Sequence, residues 1–306
     1  MSILVFGSLN MDLVVRSPRL PLPGETLTGY NCATIPGGKG ANQAVAVARQ
    51  DVSTRLLGRV GADDFGYQLR QALAIDGVNV EAIQVDAETH TGVAAITVAD
   101  AGENHIVIVP GANGRVGKDE LQQLQLYLAS ADLLLLQCEV PAEMVAQAAQ
   151  MAHEAGVRVM LDPAPVPDFD LQPIYPAIDI LTPNQVEAAQ LTGLSVTTVD
   201  EATVAISQLQ QQGVSTVIIK LGEQGVCCGT VEETFQVPAF PVSVVDTVAA
   251  GDAFNGGLAV ALSDGKALRE AVVWASATAA LSVTKSGAQP SMPTRSQVAD
   301  FLKASK

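Results

Sequence analysis

Residues 245–262 read VDTVAAGDAFNGGLAVAL. The polar first part gives way to small apolar residues, which is typical of a loop that leads into a helix beginning near Ala250. Small side chains at 249–251 leave the first N–H groups of that helix uncovered, and these groups lack helical partners and attract anions. Asp252 stands in the first turn, beside this anion site. The pair suits phosphoryl transfer to an alcohol, although acidic first turns are also common in helices without a function.

Most of the remaining chain alternates continuous apolar runs with helical patterns. Such strands, separated by helices, predict a mostly parallel α/β sheet with helices on both faces. The predicted strands are 3–7, 54–60, 133–136, 157–161, 178–181 and 216–220, with an edge hairpin at 225–230 and 234–238. The predicted helices are 44–49, 64–75, 118–130, 141–155, 184–191, 199–212, 250–262, 268–284 and 296–302.

Two segments depart from this alternation. Residues 92–99 and 105–110 are β-branched runs around a turn, which predicts a hairpin, and residues 13–15 resemble an edge strand before a proline turn. These pieces suit a small β-sheet lid at the edge of the main sheet. We therefore predict a core of residues 1–9, 38–90 and 111–306, and a lid of residues 10–37 and 91–110.

Composition restricts the function. The 306 residues carry a net charge of −15 and are 48% hydrophobic, which predicts a folded protein that binds neither nucleic acid nor an anionic membrane. The chain has no apolar run long enough to span a membrane, and its start lacks the basic segment of a signal peptide. The cysteines have neither zinc-site spacing nor a disulfide pattern, so we expect reduced thiols and a cytoplasmic location. They are Cys32, Cys138, Cys227 and Cys228.

Polar residues follow several predicted strands, at the edge where open α/β sheets bind ligands. Each alone fits an ordinary turn or helix cap, but together on one edge they suit hydroxyl groups or a hydrated metal. They are Asn10, Asp12, Gln137, Glu139, Asp162, Asn184, Glu187 and Gly222.

Other site classes lack their motifs. Gly40 rather than Ser or Thr follows Lys39, so this is no Walker A loop, and the fingerprints of a dinucleotide fold and of a serine hydrolase are missing.

Several motifs together resemble the ribokinase (PfkB) family of carbohydrate kinases. Residues 37–46, GGKGANQAVA, are similar to its first signature, and residues 246–256, DTVAAGDAFNG, to its second. The shorter motifs PGET, GEN, GAN, NxxE and LGxxG follow the family's order at residues 23–26, 102–104, 111–113, 184–187 and 221–225. The resemblance spans essentially the whole chain. Residues 38–43 and 287–291 resemble most closely the members that act on ribose.

The resemblance implies a ribokinase-like α/β core, a β lid that often forms a homodimer, and ATP-dependent phosphorylation of the ribose 5-hydroxyl with Mg²⁺ and K⁺. By position, Asp252 would take the hydroxyl proton, and the N–H groups of Ala249, Ala250 and Gly251 would hold the phosphoryl group. The implied sugar ligands are Asn10, Asp12, Gly38, Lys39, Asn42 and Glu139. Asn184 and Glu187 would organise magnesium through water, and Gly222 and Gly225 would admit the nucleotide. The implied potassium residues are Asp246, Val248, Ser282, Lys285, Gly287 and Ser291.

Two residues depart from the family pattern. Lys220 stands where relatives often carry Thr, and it could reach a nucleotide phosphate or only change the packing. Ser276 stands where relatives often place Asn or His beside the adenine, which leaves the base contact open. The alternatives are a sibling kinase for deoxyribose, another sugar or a nucleoside, and a non-catalytic sugar-binding protein on this fold. A dinucleotide-dependent dehydrogenase is the weakest alternative, because its glycine motif is missing.

Overall fold

The computed structural model describes residues 2–305 and contains a nine-stranded and a four-stranded sheet. The order of the larger sheet is β13-β12-β11-β10-β9-β8-β1-β4-β5. Strand β12 is antiparallel to both of its neighbours, β11 and β13, and the other neighbouring strands pair in parallel. Its strands are β1 Ser2–Phe6, β4 Ser53–Gly61, β5 Ile83–Asp86, β8 Leu133–Gln137, β9 Arg158–Asp162, β10 Ile180–Leu181, β11 Thr216–Lys220, β12 Val226–Gly229 and β13 Thr234–Val237.

Helices cover both faces of this sheet. They are α1 Lys39–Ala48, α2 Asp64–Ile75, α3 Lys118–Leu128, α4 Ala142–Glu154, α5 Gln185–Thr192, α6 Val199–Gln211, α7 Ala250–Ser263, α8 Leu268–Ser282 and α9 Arg295–Ala304. Alternate residues of β1 point to opposite faces. Ile3 and Val5 pack in the core formed with α1, α2 and α7–α9, whereas Leu4 and Phe6 pack in the core formed with α3–α6. Within residues 2–305, no helix is long and apolar enough to cross a membrane.

The smaller sheet has the order β3-β2-β6-β7. Its strands are β2 Asn10–Ser17, β3 Asn31–Gly37, β6 Gly92–Ala99 and β7 Asn104–Val109. Strand β2 pairs in parallel with β6 and antiparallel with β3, so it is an inner strand. The prediction of an edge strand at 13–15 was therefore wrong. The chain returns through the proline turn to β3, which pairs with one side of β2, and β6 pairs with the other side.

Close packing of α1 against α7 brings two distant parts of the chain together. A Cβ atom on Gly256 would lie 2.4 Å from the Cβ of Ala46, so only glycine permits this approach. The crossing brings Asn42 and Gln43 of α1 within hydrogen-bonding distance of Asp252 of α7. Glycine spacing in the second motif therefore serves the site as well as the core.

The predicted fold class is confirmed: a mostly parallel sheet is covered by helices on both faces and accompanied by a separate small β-sheet. Most predicted elements match the observed bounds to within a few residues. Two differences stand out. Helix α1 begins at Lys39, several residues earlier than predicted, because the glycine-containing part of the first motif forms the first turn of the helix and not a loop. The edge strand β5 was not predicted, since its four residues show only a weak apolar pattern.

Candidate active site

A cleft of about 940 Å³ opens beside the start of α7. One end is polar and includes Lys39, Asp162 and Asp252. The other end is mostly apolar and is lined by Phe240, Val242, Val244, Ala279, Ala280 and Val283, with Ser276 among them. A long cleft with an apolar end and a charged end suits a ligand with an aromatic ring and an anionic chain.

Helix α7 begins next to a strained residue. Ala249, the N-cap, has φ 58° and ψ 16°, a left-handed conformation that costs a non-glycine residue on the order of 1–3 kcal/mol. This turn aims the start of the helix into the cleft. The N–H of Gly251 makes no hydrogen bond among residues 2–305, but that of Ala250 donates to the carbonyl of Thr247 at 3.2 Å. Of the predicted anion hole of Ala249, Ala250 and Gly251, the N–H of Ala250 thus has a partner in this structure, and the binding of a phosphoryl group there stays a prediction.

Asp252 is almost completely buried, with 4% of its surface exposed. Its Oδ2 accepts from Nδ2 of Asn42 at 2.9 Å, and its Oδ1 accepts from Nε2 of Gln43 at 3.1 Å. Burial raises the pKa of Asp252 to about 6, against the lowering effect of the Lys39 charge and of these amides. Loss of hydration is the largest of these effects. At neutral pH the carboxylate is still mostly ionised.

Lys39 lies among carboxylates at the polar end of the cleft. Burial acts to lower its pKa, but the charges of Asp252, Asp162 and Glu139 outweigh burial and raise the pKa above its ordinary value. The ammonium group is therefore charged at neutral pH. It offsets the repulsion between acidic groups that would otherwise disfavour both folding and binding of an anion.

The lid side of the site carries the remaining polar groups. The backbone N–H of Lys39 donates to Oε2 of Glu139 at 3.1 Å, and Ser8 Oγ donates to the same oxygen at 2.5 Å. Asn10 is buried, its Nδ2 lies 3.5 Å from that oxygen, and its Oδ1 accepts from Asn113 at 2.7 Å. These contacts fix two side chains that the sequence assigned to sugar binding.

Asp12 lies on β2 beside Gly37 of β3. A Cβ atom on Gly37 would lie 2.4 Å from Oδ2 of Asp12, so the glycine leaves the space that the carboxylate occupies. Burial, followed by the charges of Glu139 and Asp252, raises the pKa of Asp12 to about 7.

The residues predicted to lie on the nucleotide side all line the cleft. They are Asn184, Glu187, Lys220, Gly222, Gly225 and Ser276. Asn184 caps α5 in a capping box, in which Glu187 Oε2 accepts from the backbone N–H of Asn184 at 2.7 Å. Gly222 and Gly225 both line the cleft with positive φ, a conformation that glycine adopts without strain, and neither places a side chain there. The hydroxyl of Ser276 is buried and has no partner within residues 2–305.

The six predicted potassium residues lie in two segments that the structure joins: the loop before α7, and the stretch from the end of α8 at Ser282 to Ser291. Asp246 Oδ2 accepts from the N–H of Gly287 at 2.9 Å, and Oδ1 accepts from the N–H of Val248 at 3.0 Å. The N–H of Lys285 donates to the Ser282 carbonyl at 3.1 Å, and Ser291 is buried nearby in sequence. A potassium site with mostly backbone carbonyl ligands in these two segments stays a prediction.

Sequence reasoning missed Gln43 as a site residue and did not assign a role to Asp162. Gln43 Nε2 donates to both Asp162 and Asp252, and its Oε1 accepts from Gln137 at 2.7 Å. Position Gln43 stands inside the first motif, but only the packing of α1 reveals which carboxylates it joins. Among residues 2–305, no group of three or more His, Cys, Asp or Glu side chains is arranged to hold a metal ion.

Comparison with known proteins gives one consistent picture. The family description "pfkB family carbohydrate kinase" matches residues 1–295. A ribokinase of Haemophilus influenzae is 41% identical over 298 residues, covering 97% of each chain. A deoxyribokinase of Salmonella typhi is 35% identical over 303 residues, covering 99% of each chain. The solved structure of Arabidopsis thaliana ribokinase with ribose and ATP is 36% identical, covers 98% of each chain and has a TM-score of 0.90.

Proposed function

This chain belongs to the pfkB family of carbohydrate kinases, and from that premise we propose that it transfers the γ-phosphoryl group of ATP to the 5-hydroxyl of D-ribose. The products are ribose 5-phosphate and ADP. One observation carries the proposal: Asp252 is a buried carboxylate in the first turn of α7, where the polar end of the nucleotide-sized cleft meets Lys39. The anion site and the base therefore face the same reacting atoms.

Asp252 is the proposed base. Asn42 and Gln43 fix both of its oxygens, so the carboxylate is oriented before the substrate arrives. A pKa of about 6 keeps it ionised at neutral pH and closer to the optimum for proton transfer than an ordinary Asp. Because the transition state of phosphoryl transfer is loose, the hydroxyl proton leaves late, and Asp252 mainly orients the hydroxyl and accepts its proton.

The start of α7 is the proposed anion hole. The N–H of Gly251 and the positive end of the helix would stabilise the transferring phosphoryl group together with the N–H of Ala249. The N–H of Ala250 would join them by leaving the carbonyl of Thr247, to which it donates at 3.2 Å, the long end of the ordinary range. Strain at Ala249 supports this role, since strained backbone clusters at functional sites.

The proposed sugar site lies between Asp252 and the lid. Ionised Asp12 can accept hydrogen bonds from two neighbouring hydroxyl groups, and Glu139 and Asn10 supply further fixed acceptors and donors. The full proposed set is Asn10, Asp12, Gly38, Lys39, Asn42 and Glu139. We propose that residues 10–37 and 91–110 form a lid over this site, which would exclude water and limit wasteful hydrolysis of ATP.

The cleft would hold ATP with its base at the apolar end and its phosphates near Lys220, Gly222 and Gly225. Among the residues that the sequence assigned to the nucleotide, Ser276 has a buried hydroxyl without a partner, which is available for a contact with the base. Asn184 and Glu187 would hold hydrated Mg²⁺ through water. Burial, followed by the charge of Asp162, raises the pKa of Glu187. When bound, magnesium neutralises phosphate charge.

We also propose a homodimer formed through the lid and a cytoplasmic location. Strand β7 is an edge strand whose six residues are all exposed, and it includes Ile106, Val107, Ile108 and Val109. An exposed apolar edge strand favours pairing with a second copy. The four cysteines are free, which is consistent with a reducing compartment where ATP is available.

The acceptor is tested with purified protein, ATP, magnesium and potassium, by measuring ADP release against ribose, deoxyribose, fructose, adenosine and pseudouridine. We expect ribose to give the highest kcat/KM. Loss of one hydroxyl in deoxyribose leaves a buried acceptor unpaired and should lower kcat/KM by about 5- to 150-fold. A higher value for deoxyribose would make this chain resemble its deoxyribokinase relative in function, and a higher value for a nucleoside would overturn the sugar assignment.

Potassium is expected to raise kcat severalfold, and sodium much less. The loops of Asp246 and Gly287 adjoin the start of α7, so a cation held by their carbonyls would fix the anion hole. Rates are measured in potassium, in sodium and in a bulky organic cation at constant ionic strength. Asp246→Asn should weaken the response, because one of its two accepted hydrogen bonds is lost. Equal rates in all three salts would rule out the potassium site.

A further inference from the structure

Lys220 is placed unusually close to the proposed anion hole. It is the last residue of β11, and 14% of its side chain is exposed. A Cβ atom on Gly251 would lie 3.4 Å from Nζ of Lys220, so the ammonium group stands against the first turn of α7. Because Gly251 has no side chain, nothing of that residue separates the ammonium from the N–H groups of the turn.

In this structure the charge of Lys220 is held by a buried acid. Its Nζ donates to Oδ1 of Asp162 at 3.0 Å, and Asp162 has only 2% of its side chain exposed. The other oxygen of Asp162 accepts from Gln43, which also donates to Asp252. Lys220 is thus joined to the proposed base through two intervening side chains, and both ends of this chain of contacts line the cleft.

We propose that Lys220 exchanges partners when the nucleotide binds, leaving Asp162 for the phosphate chain held at the start of α7. The proposal rests on the proposed function, in which ATP occupies this cleft. A phosphate chain offers more negative charge and more acceptor oxygens than one carboxylate, and Lys has a flexible stem with three donors. The short distance from Gly251 means that the exchange needs a rotation of the side chain and no movement of the backbone.

Because of this exchange, Asp162 and the nucleotide compete for the ammonium group of Lys220. Each nucleotide that binds must first take Lys220 from a buried ion pair, and breaking such a pair has a substantial cost. Asp162 therefore lowers the affinity for nucleotides that carry a β-phosphate, both by holding Lys220 and by the repulsion between its own charge and the phosphates. A lysine that served packing alone would affect all ligands of the cleft equally.

The test measures binding by calorimetry of adenosine, AMP, ADP and a non-hydrolysable ATP analogue, with EDTA present so that magnesium contributes nothing. Lys220→Gln should lose about 10- to 100-fold in affinity for ADP and the analogue, the range of a charge-assisted hydrogen bond, and less than about twofold for adenosine. Lys220→Arg should recover part of the loss. Lys303→Gln removes an exposed lysine that is paired with Asp300 and is the matched control.

Asp162→Asn is expected to raise affinity for ADP and to leave that for adenosine unchanged, and the double variant of Asp162→Asn with Lys220→Gln should bind ADP about 10- to 100-fold more weakly than Asp162→Asn alone. The double variant also leaves no unpaired buried charge, so it remains informative if Lys220→Gln alone unfolds. An equal loss for adenosine and ADP, or no loss for either, would overturn the proposal. These titrations contain no sugar, so an incorrect acceptor would appear in the substrate comparison and leave this result unchanged.

Discussion

Asp252→Asn is expected to lower kcat by about 10²- to 10⁴-fold, the range of general-base catalysis. The amide cannot accept the hydroxyl proton, whereas its size and position are those of the carboxylate. Affinity for ATP should change little, because the nucleotide contacts the N–H groups and not this side chain. The measurements are kcat, KM for both substrates and the melting temperature of the variant.

Both oxygens of Asp252 accept hydrogen bonds, so the Asn amide must turn its NH₂ group toward Asn42 or Gln43, both of which donate. This conflict costs stability, but removal of a buried charge offsets it, so the fold should survive. Asp64→Asn is the matched control, since Asp64 is an exposed acid in the first turn of α2. If turnover of Asp252→Asn stays within about threefold of wild type, far below the range for a base, Asp252 is not the base.

Asp12→Asn is expected to raise the KM for ribose by about 10- to 100-fold with a smaller change in kcat. In the proposed sugar site, ionised Asp12 would accept hydrogen bonds from two hydroxyl groups. The amide would accept through one oxygen only, and its NH₂ group would oppose the second hydroxyl. KM for ATP should stay unchanged, because Asp12 lies on the lid side. A change in KM for ATP equal to that for ribose would point to a folding defect and contradict the assignment.

The pH dependence gives a second readout of Asp12. Only the ionised carboxylate binds both hydroxyls, and its pKa in the free protein is about 7. In wild type, kcat/KM for ribose should therefore rise with pH through about 7 and then level off. In Asp12→Asn the remaining carboxylate that must be ionised is the proposed base Asp252, whose pKa is about 6, so the rise should shift to lower pH. An unchanged profile would show that Asp12 does not titrate in binding.

The sequence predicted the architecture well because the inner strands are continuous apolar runs. Leu133–Gln137 is buried along its whole length, and its neighbours show the same pattern, so the order of elements was readable. The pairing of β2 was not, because strand order depends on contacts between residues far apart in the chain. Strand β5 escaped notice because its pattern alternates weakly over four residues.

The site was only partly readable. The glycine-rich motifs identified Asp252 and the start of α7, but the partners of Asp252 come from a helix more than 200 residues away. Burial also decided the pKa of Asp252, and the degree of burial at a helix start cannot be read from the local sequence. The same holds for Lys220, whose ion pair with Asp162 appears only when β9 and β11 are placed on either side of β10.

The most direct test of the central claim is the identity of the product. Proton-coupled phosphorus NMR of a reaction with ribose, ATP and the purified protein distinguishes the possible esters. A phosphate on the 5-oxygen couples to both C5 protons and gives a triplet, and this triplet is the expected result together with ADP. A doublet from a phosphate on a secondary or anomeric oxygen, or ADP with inorganic phosphate and no ester, would contradict the account.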